Sequence, residues 1–212
     1  MDQRLTDLPA RELVERLATR DPVPGGGSAA AIAGAIGAAL IGMVVELTVG
    51  RPEAATHEAA LDEVGASAAR LRSQLLELAE TDAAAYDAVI RARRLPRGTD
   101  DEAGARQAAM DDATREATLV PLATASAAAA VLELAERIAP IGNRNAVSDV
   151  GVGAVLAGAA VRGAGLNVRI NVPYLASEDP LAAEAPREVD RLLADAAERE
   201  RRISGIVADR MG

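Results

Sequence analysis

The sequence predicts an all-α protein, a multi-helix bundle forming one domain over residues 1–212. Three observations support this. Apolar residues recur at helical spacing along most of the chain, no segment alternates convincingly like a strand, and no linker rich in Ser or Pro divides the chain. Because Phe and Trp are absent, the core must be built from Ala, Leu, Val and Ile. Such small side chains bring helices close together.

The first predicted helices lie on either side of two prolines. Leucines at helical spacing predict a helix over 6–20, which Pro22 and Pro24 end. The segment 29–45 then has no charged residue, but it is at the short end of a membrane span and lacks flanking aromatic residues. We interpret it as a buried helix and expect no membrane partner. Gly34, Ala38 and Gly42 give it one face that permits close packing.

The rest of the chain is also predicted to be helical. The stretches are 53–95, 101–139, 150–172 and 178–211. Pro121 predicts a kink or break in the second of these, and "NVRINV" at 167–172 is ambiguous between helix and strand. The two Gly/Ala-rich helices, 29–45 and 150–172, are expected to form the centre of the bundle. One of them would also suit a subunit interface.

Composition excludes several classes of function. The net charge of -9 and the absence of Lys argue against a nucleic-acid partner. No Cys is present and His57 is the only imidazole, so we expect no metal site. The start of the chain is charged and has no apolar signal segment, which indicates a cytoplasmic protein. The chemistry must come from carboxylates, amides, hydroxyls and arginines.

A glycine-rich turn is the first candidate site. Gly25, Gly26 and Gly27 follow Pro24 and precede Ser28, directly before the uncharged helix. Free backbone N–H groups, a capping hydroxyl and the positive end of the helix dipole would meet there. The turn therefore predicts a cradle for an anion or a carbonyl group. A flexible hinge with an ordinary cap is the alternative.

A carboxylate on an apolar stripe is the second candidate. Asp82 continues the stripe that runs along 71–89, between Leu78 and Tyr86. Lost hydration should raise the pKa of Asp82 and suit it to general acid–base chemistry. The alternative is a structural pair with an arginine on a neighbouring helix.

Polar residues form the third candidate, at "GNRNAVSD" over 142–149. Asn143, Ser148 and Asp149 crowd the loop before the second small-residue helix. Amides can recognise planar heterocycles, but these residue types are also the usual ones in Asx turns and helix caps. Asn167 and Asn171 share a face if their segment is helical, and a ligand is one possible partner for such buried amides.

Three segments together resemble a known family. They are "PVPGGGSAAAIAGAIGAALIGMVVELTVGR", "DAAAYDAVIRARRLPRGT" and "GNRNAVSDVGVGAVLAGAAVRGAGLNVRIN". In this order and spacing they are similar to the cyclodeaminase/cyclohydrolase family of folate enzymes, over nearly the whole chain. The resemblance implies a helical bundle that forms a homodimer, with folate bound in a cleft near the glycine-rich turn.

The resemblance also implies roles for particular residues. Asp82 matches the family's proton acceptor, and Asp149 is the next catalytic candidate. The family usually has Lys where this chain has Arg97, and an arginine cannot shuttle protons at neutral pH. The implied substrate-binding residues are Pro24, Gly25, Gly26, Gly27, Ser28, Tyr86, Arg97, Asn143, Ser148, Asn167 and Asn171.

Two activities are implied, and both are possible at one site. A methenyltetrahydrofolate cyclohydrolase adds water to 5,10-methenyltetrahydrofolate, whereas a formiminotetrahydrofolate cyclodeaminase forms that compound with release of ammonia. No formiminotransferase domain is seen in the sequence, which favours the cyclohydrolase. No metal or redox cofactor is expected besides the folate itself. A helical folate-binding or regulatory protein without catalysis is the alternative from another class.

Overall fold

The computed structural model describes residues 4–212, and every regular element in that range is a helix. The predicted all-α class is therefore confirmed. The six α-helices are α1 (Ala10–Leu17), α2 (Gly26–Glu46), α3 (Glu58–Arg93), α4 (Asp100–Ile138), α5 (Val147–Asn171) and α6 (Leu181–Met211). Short 3-10 helices lie at Leu5–Asp7, Pro52–His57, Arg144–Ala146 and Val172–Tyr174.

Two local predictions need correction, and one ambiguous segment is resolved. The helix expected over 6–20 is only α1, because Pro9 disfavours helical backbone at the residue before it and starts the helix at Ala10. The expected break at Pro121 is not found, since α4 continues through that residue. The ambiguous segment 167–172 is helical as far as Asn171. At Pro121 and over 167–172, the packing of the segment in the bundle decides what its short pattern leaves open.

The helix α4 lies at the centre of the bundle. It contacts α2, α3, α5 and α6, while α2 packs between α3 and α5, and α5 also packs on α6. The core contains mostly aliphatic side chains and alanines, with Ile41, Leu132 and Val150 fully buried. A capping box of Thr99 and Glu102 starts α4 after the tight turn from α3. The long α3 and α4 thus form a hairpin beside the shorter α2 and α5.

The two Gly/Ala-rich helices, α2 and α5, pack directly on each other, but the prediction that they form the centre of the bundle is wrong, since α4 lies there and part of the surface of both is exposed. Their backbones are closest at two glycines: a Cβ atom on Gly37 would lie 2.8 Å from the carbonyl oxygen of Gly153. A Cβ atom on Gly153 would in turn lie 3.2 Å from the carbonyl oxygen of Gly37. Any side chain at either position would separate the helices. This contact fixes the relative position of the helix ends that form the site below.

Some apolar surface of α2 and α5 remains uncovered. By length and composition alone, α2, α4 and the segment Arg144–Tyr174 could each cross a membrane, although half or more of the most apolar stretch of each is buried inside the bundle. The large apolar residues exposed on α2 and α5 are Ile36, Met43, Val152, Val155, Leu166 and Ile170.

Candidate active site

A cavity of about 350 Å³ lies where four helices meet. The start of α2, the last third of α3, the first half of α4 and the end of α5 contribute its walls. The glycine-rich turn, Asp82, Tyr86, Asn167 and Asn171 all line it, so the structure brings together residues that are far apart in the sequence.

Asp82 is the central charged group of this cavity. The Ser28 hydroxyl lies 2.9 Å from Oδ2 of Asp82 and 3.0 Å from the carbonyl oxygen of Ala79, and its single O–H can donate to either acceptor. Burial raises the pKa of the Asp82 carboxyl, while hydrogen bonds from the side chain and backbone of Ser28 oppose that rise. The predicted upward shift is therefore confirmed. The result is a carboxylate that can accept a proton but is still held in place.

The structure does not contain the alternative arrangement for Asp82, in which its carboxylate pairs with an arginine. Among residues 4–212 the partner of its carboxylate is Ser28, and no arginine forms an ion pair with it. Its negative charge is instead placed at the first turn of α2, where backbone N–H groups and the helix dipole favour an anion. The predicted anion cradle is thus occupied by a carboxylate of the protein itself.

Gly27 makes this arrangement possible. A Cβ atom built on Gly27 would lie 2.6 Å from Cγ of Asp82 and 2.7 Å from its Oδ2, well inside van der Waals contact. A Cβ atom on Gly26 would meet only Nδ2 of Asn167, at an ordinary 3.7 Å. The three glycines are therefore not equivalent, because only Gly27 leaves the space that the Asp82 carboxylate fills.

Ser28 is not the helix cap that its position suggested. The residue that caps α2 is Gly25, without any side-chain hydrogen bond, and Ser28 lies inside the first turn with its side chain fully buried. Pro24 is buried behind the turn after a cis Val23–Pro24 peptide bond and does not line the cavity. The hydroxyl of Ser28 instead orients Asp82.

Asn167 and Asn171 present their amide oxygens as acceptors. Nδ2 of Asn167 donates to the carbonyl oxygen of Gly163, and Nδ2 of Asn171 donates to that of Ala117 at 2.6 Å. Because each NH₂ group is used in this way, the amide orientation is set by the backbone. Within residues 4–212 no buried side-chain polar atom lacks a partner, so the two oxygens are open to solvent. Both residues line the cavity.

Pro121 explains why Ala117 can accept the hydrogen bond from Asn171. In a regular helix the carbonyl of Ala117 would accept the N–H of residue 121, but proline has none. The amide of Asn171 takes the place of that missing donor. The proline that predicted a break in α4 therefore supplies an anchor for a residue of the cavity.

Several residues of the cavity were missed by the sequence reasoning. Arg93 continues the stripe of Asp82, Tyr86 and Val89 by one more helical step and lines the cavity. Extending the stripe by four residues would have found it. Arg97 lies in the exposed turn after α3 and does not line the cavity. From α4 the side chains of Met110 and Thr114 complete the wall, and no sequence motif marked them.

The polar loop at 142–149 lies at the other end of α2 and α5. Asn143, Ser148 and Asp149 are separated from Asp82 by the length of α2, whose 21 residues span about 30 Å. The predicted grouping of these residues with Asp82 is therefore not found within one chain. Asp149 is half-buried in the first turn of α5, where the helix dipole favours a negative charge, and Ser148 is exposed.

Asn143 forms the loop itself. Its Oδ1 accepts the backbone N–H of Asn145, which is an Asx turn, and its Nδ2 donates to the carbonyl oxygen of Leu47. Its own backbone N–H donates to Oγ1 of Thr48. The structural alternative for this amide, turn formation, agrees with these contacts. Among residues 4–212, no three His, Asp or Glu side chains gather in a way that could hold a metal ion.

Comparison with known proteins gives one family. The sequence model described as formiminotransferase-cyclodeaminase matches residues 9–191. A methenyltetrahydrofolate cyclohydrolase of Methylorubrum extorquens is 42% identical over 190 residues, which cover 90% of this chain and 91% of that protein. A formimidoyltransferase-cyclodeaminase of Sus scrofa is 32% identical over 195 residues, which cover 92% of this chain but 36% of that longer protein.

A solved structure has the same fold. The crystal structure of formiminotetrahydrofolate cyclodeaminase from Thermotoga maritima superposes with a TM-score of 0.86, covering 97% of this chain and 98% of that one. The sequence identity is 24%, so this comparison establishes the helical architecture alone.

Proposed function

Because this chain belongs to the formiminotransferase-cyclodeaminase family, we propose that it is a folate one-carbon enzyme that hydrolyses 5,10-methenyltetrahydrofolate to 10-formyltetrahydrofolate. The observation that carries the proposal is a raised-pKa carboxylate, Asp82, held at the wall of a cavity by Ser28. The cyclohydrolase is preferred because the relative of that name matches along nearly its whole length.

The charges and polar groups of the cavity suit this substrate. The methenyl carbon lies between two nitrogens and shares their positive charge, which the Asp82 carboxylate would stabilise. The pterin ring of a folate carries several N–H donors. The open amide oxygens of Asn167 and Asn171 are acceptors for such donors, and Tyr86 offers an aromatic ring to a planar heterocycle.

Asp82 would act as the base and then as the acid. Water attacks the methenyl carbon, and the ionised carboxylate accepts the proton of that water. The resulting adduct is neutral and tetrahedral. Its carbon–N5 bond then breaks as N5 takes a proton back from Asp82, and the hydroxyl group of the adduct releases its own proton to solvent as it becomes the carbonyl of the formyl group on N10. Overall, the methenyl cation and one water molecule give a neutral formyl group and one released proton. The proposed reaction requires no metal ion or redox group.

Arg93 would bind the anionic end of the substrate. Among residues 4–212 it is the one cationic side chain that lines the cavity, and it is exposed, without an ion pair. It lies three helical turns from Asp82 along α3, which is about 16 Å. A guanidinium at that distance suits the glutamate carboxylates of a folate whose ring is bound beside Asp82.

The alternative function is that of a formiminotetrahydrofolate cyclodeaminase. In that reaction the N10 nitrogen attacks the formimino carbon and ammonia leaves, with the same need for a proton acceptor and donor. The formimidoyltransferase-cyclodeaminase relatives favour it, and the cavity would serve either reaction. A folate-binding protein without catalysis would not need a desolvated carboxylate beside the ligand.

The first experiment measures the loss of the methenyl absorbance with purified protein, after subtraction of spontaneous hydrolysis. We expect saturable acceleration in proportion to protein concentration. No acceleration, but ammonia release from formiminotetrahydrofolate, would replace the cyclohydrolase by the cyclodeaminase. Binding of folate without either reaction would contradict both activities and support the non-catalytic alternative.

The enzyme is further proposed to form a homodimer through the exposed apolar residues of α2 and α5. Val155 is 59% exposed on this face, so Val155→Glu places a charge where apolar contact is needed. We expect this variant to be monomeric by light scattering while the wild type is dimeric. Val14→Glu, at a residue 65% exposed on α1, is the matched control and should remain dimeric. A dimer that persists in Val155→Glu would place the interface elsewhere.

A further inference from the structure

We propose that a second cavity, at the end of the bundle opposite Asp82, binds a small polyanion with two or more carboxylate or phosphate groups. This arginine cavity has a volume of about 290 Å³. Arg51, Arg144 and Arg210 line it together with His57 and Asn145. It is separate from the Asp82 cavity, and the residues lining the two cavities do not overlap.

The charge of this cavity is opposite to that of the chain. Three guanidinium groups converge on it in a protein with a net charge of -9, and the single carboxylate in its wall is Glu53. Glu53 is 3.7 Å from Arg51, and its side chain is 72% exposed. Among the described residues, neither Arg144 nor Arg210 forms an ion pair with any carboxylate. Gathered like charges repel one another, and a bound anion would offset that repulsion.

Some clustered arginines elsewhere in the protein are arranged differently, because they share carboxylates of the chain. On the surface formed by α4 and α6, for example, Arg199 and Arg202 both donate to Glu136. Those arginines are neutralised by carboxylates of the chain itself. The arginine cavity differs from that surface, because Arg144 and Arg210 are not neutralised in this way within residues 4–212.

Backbone contacts hold these guanidinium groups in position. The Nε of Arg51 donates to the carbonyl oxygen of Leu47, and the Nε of Arg144 donates to that of Arg210, both at 2.8 Å. Arg210 itself donates to two backbone carbonyls just beyond the end of α4. Within residues 4–212, the terminal N–H groups of Arg144 form no further hydrogen bond. Groups fixed in this way lose less conformational entropy when they bind an anion.

The arginine cavity also accounts for a motif that the Asp82 site does not use. In "GNRN" at 142–145, Asn143 shapes the loop, whereas Arg144 and Asn145 turn their side chains to the cavity. The side-chain amide of Asn145 has no hydrogen bond within the described chain.

The ligand is not the glutamate of a folate bound to Asp82 in the same chain, because about 30 Å of α2 separates the two cavities. A free phosphate compound and the oligoglutamate chain of another folate molecule offer the same chemistry, several oxyanions on a short chain. Two probes distinguish them: inorganic pyrophosphate and γ-linked triglutamate.

The test is calorimetric titration of the full chain with each probe at low salt. We expect saturable binding at one site per chain, weakened at least about tenfold in Arg144→Gln and in Arg51→Gln, since a charge-assisted hydrogen bond contributes that much. Arg144→Lys, which keeps the charge, should recover part of the affinity. Asp82→Asn should bind the probe unchanged, so this result does not depend on whether the proposed enzymatic activity is found.

Arg187→Gln is the matched control. Its Nε donates to the carbonyl four residues earlier, as that of Arg51 does, but it lines no part of the cavity. Equal weakening in this variant, or no saturable binding of either probe to the wild type, would overturn the proposal. Binding of pyrophosphate alone would identify a phosphate ligand. Binding of triglutamate, together with a KM for a triglutamylated folate that rises in Arg144→Gln, would identify the oligoglutamate chain.

Discussion

Replacing Asp82 with asparagine is expected to lower the turnover of 5,10-methenyltetrahydrofolate by at least about a hundredfold, which is the usual contribution of a positioned base. The amide has nearly the shape of the carboxylate and can still accept the hydrogen bond from Ser28. It cannot accept a proton from water. The change therefore removes the chemistry while leaving the geometry, and KM should change much less than kcat.

The pH dependence of the wild type gives an independent readout. Asp82 must be ionised to act as a base, and burial raises its pKa. We expect kcat to rise with pH along an acid limb whose midpoint lies above the ordinary pKa of an aspartate, and this limb should vanish in Asp82→Asn. A pKa that is higher in the folded state means that the stability contributed by Asp82 is present in acid and lost as pH rises through the folded pKa. The neutral amide should therefore not lower the melting temperature at pH 7.

Asp87→Asn is the matched control for this prediction. Asp87 is on the same helix, but it is exposed and does not line the cavity. Its replacement should leave kcat and KM as in the wild type. If Asp82→Asn retained its turnover, another group would have to be the base, and the proposed mechanism would be wrong.

Replacing Gly27 with alanine is expected to lower kcat by about tenfold to a hundredfold, because misplacing a reacting group by about 1 Å can cost that much. The added methyl group would lie 2.6 Å from Cγ of Asp82, so either the carboxylate or the start of α2 must move. A displaced carboxylate loses its contact with Ser28, which lies 2.9 Å away in the wild type. The acid limb of the pH profile should shift as well, since Ser28 lowers the pKa of Asp82.

Alanine substitutions at two other glycines distinguish the clash with Asp82 from the general effect of replacing glycine in a helix. Gly205→Ala in α6 adds a methyl group with nothing within 4 Å, and it should leave turnover unchanged while adding up to about 1 kcal/mol of stability. Gly26→Ala adds a methyl group that meets only Asn167, so it should lose far less activity than Gly27→Ala. Equal losses at Gly26 and Gly27 would show that the clash with Asp82 is not the cause.

The predictions that succeeded from sequence depend on short-range patterns. Helical spacing along 71–89 placed Asp82 on a core-facing stripe, and the pKa of its carboxyl is raised as expected. The Gly/Ala composition of two distant segments predicted that α2 and α5 pack together, as they do at Gly37 and Gly153. Both inferences follow from helical periodicity and side-chain size, which are local properties of a sequence.

Other features depend on which helix ends meet. The segment "GNRNAVSD" and the glycine-rich turn were expected at one site, but α2 holds them about 30 Å apart, since each adjoins a different end of this 21-residue helix. Pro121 was expected to break α4, yet its missing N–H is compensated by Asn171, a residue 50 positions away in the sequence. Neither the separation of these two segments nor the role of Asn171 beside Pro121 can be recognised from a sequence pattern.

The sequence by itself therefore determined the helical class, the close-packed glycine faces and a carboxylate on an apolar stripe. Only the tertiary structure decided which groups surround that carboxylate. Ser28 orients it, Gly27 leaves room for it, and the amides of Asn167 and Asn171 turn their oxygens outward. The physical reason is that periodicity fixes the face on which a residue lies, whereas the partner across that face is set by helix packing between residues distant in the chain.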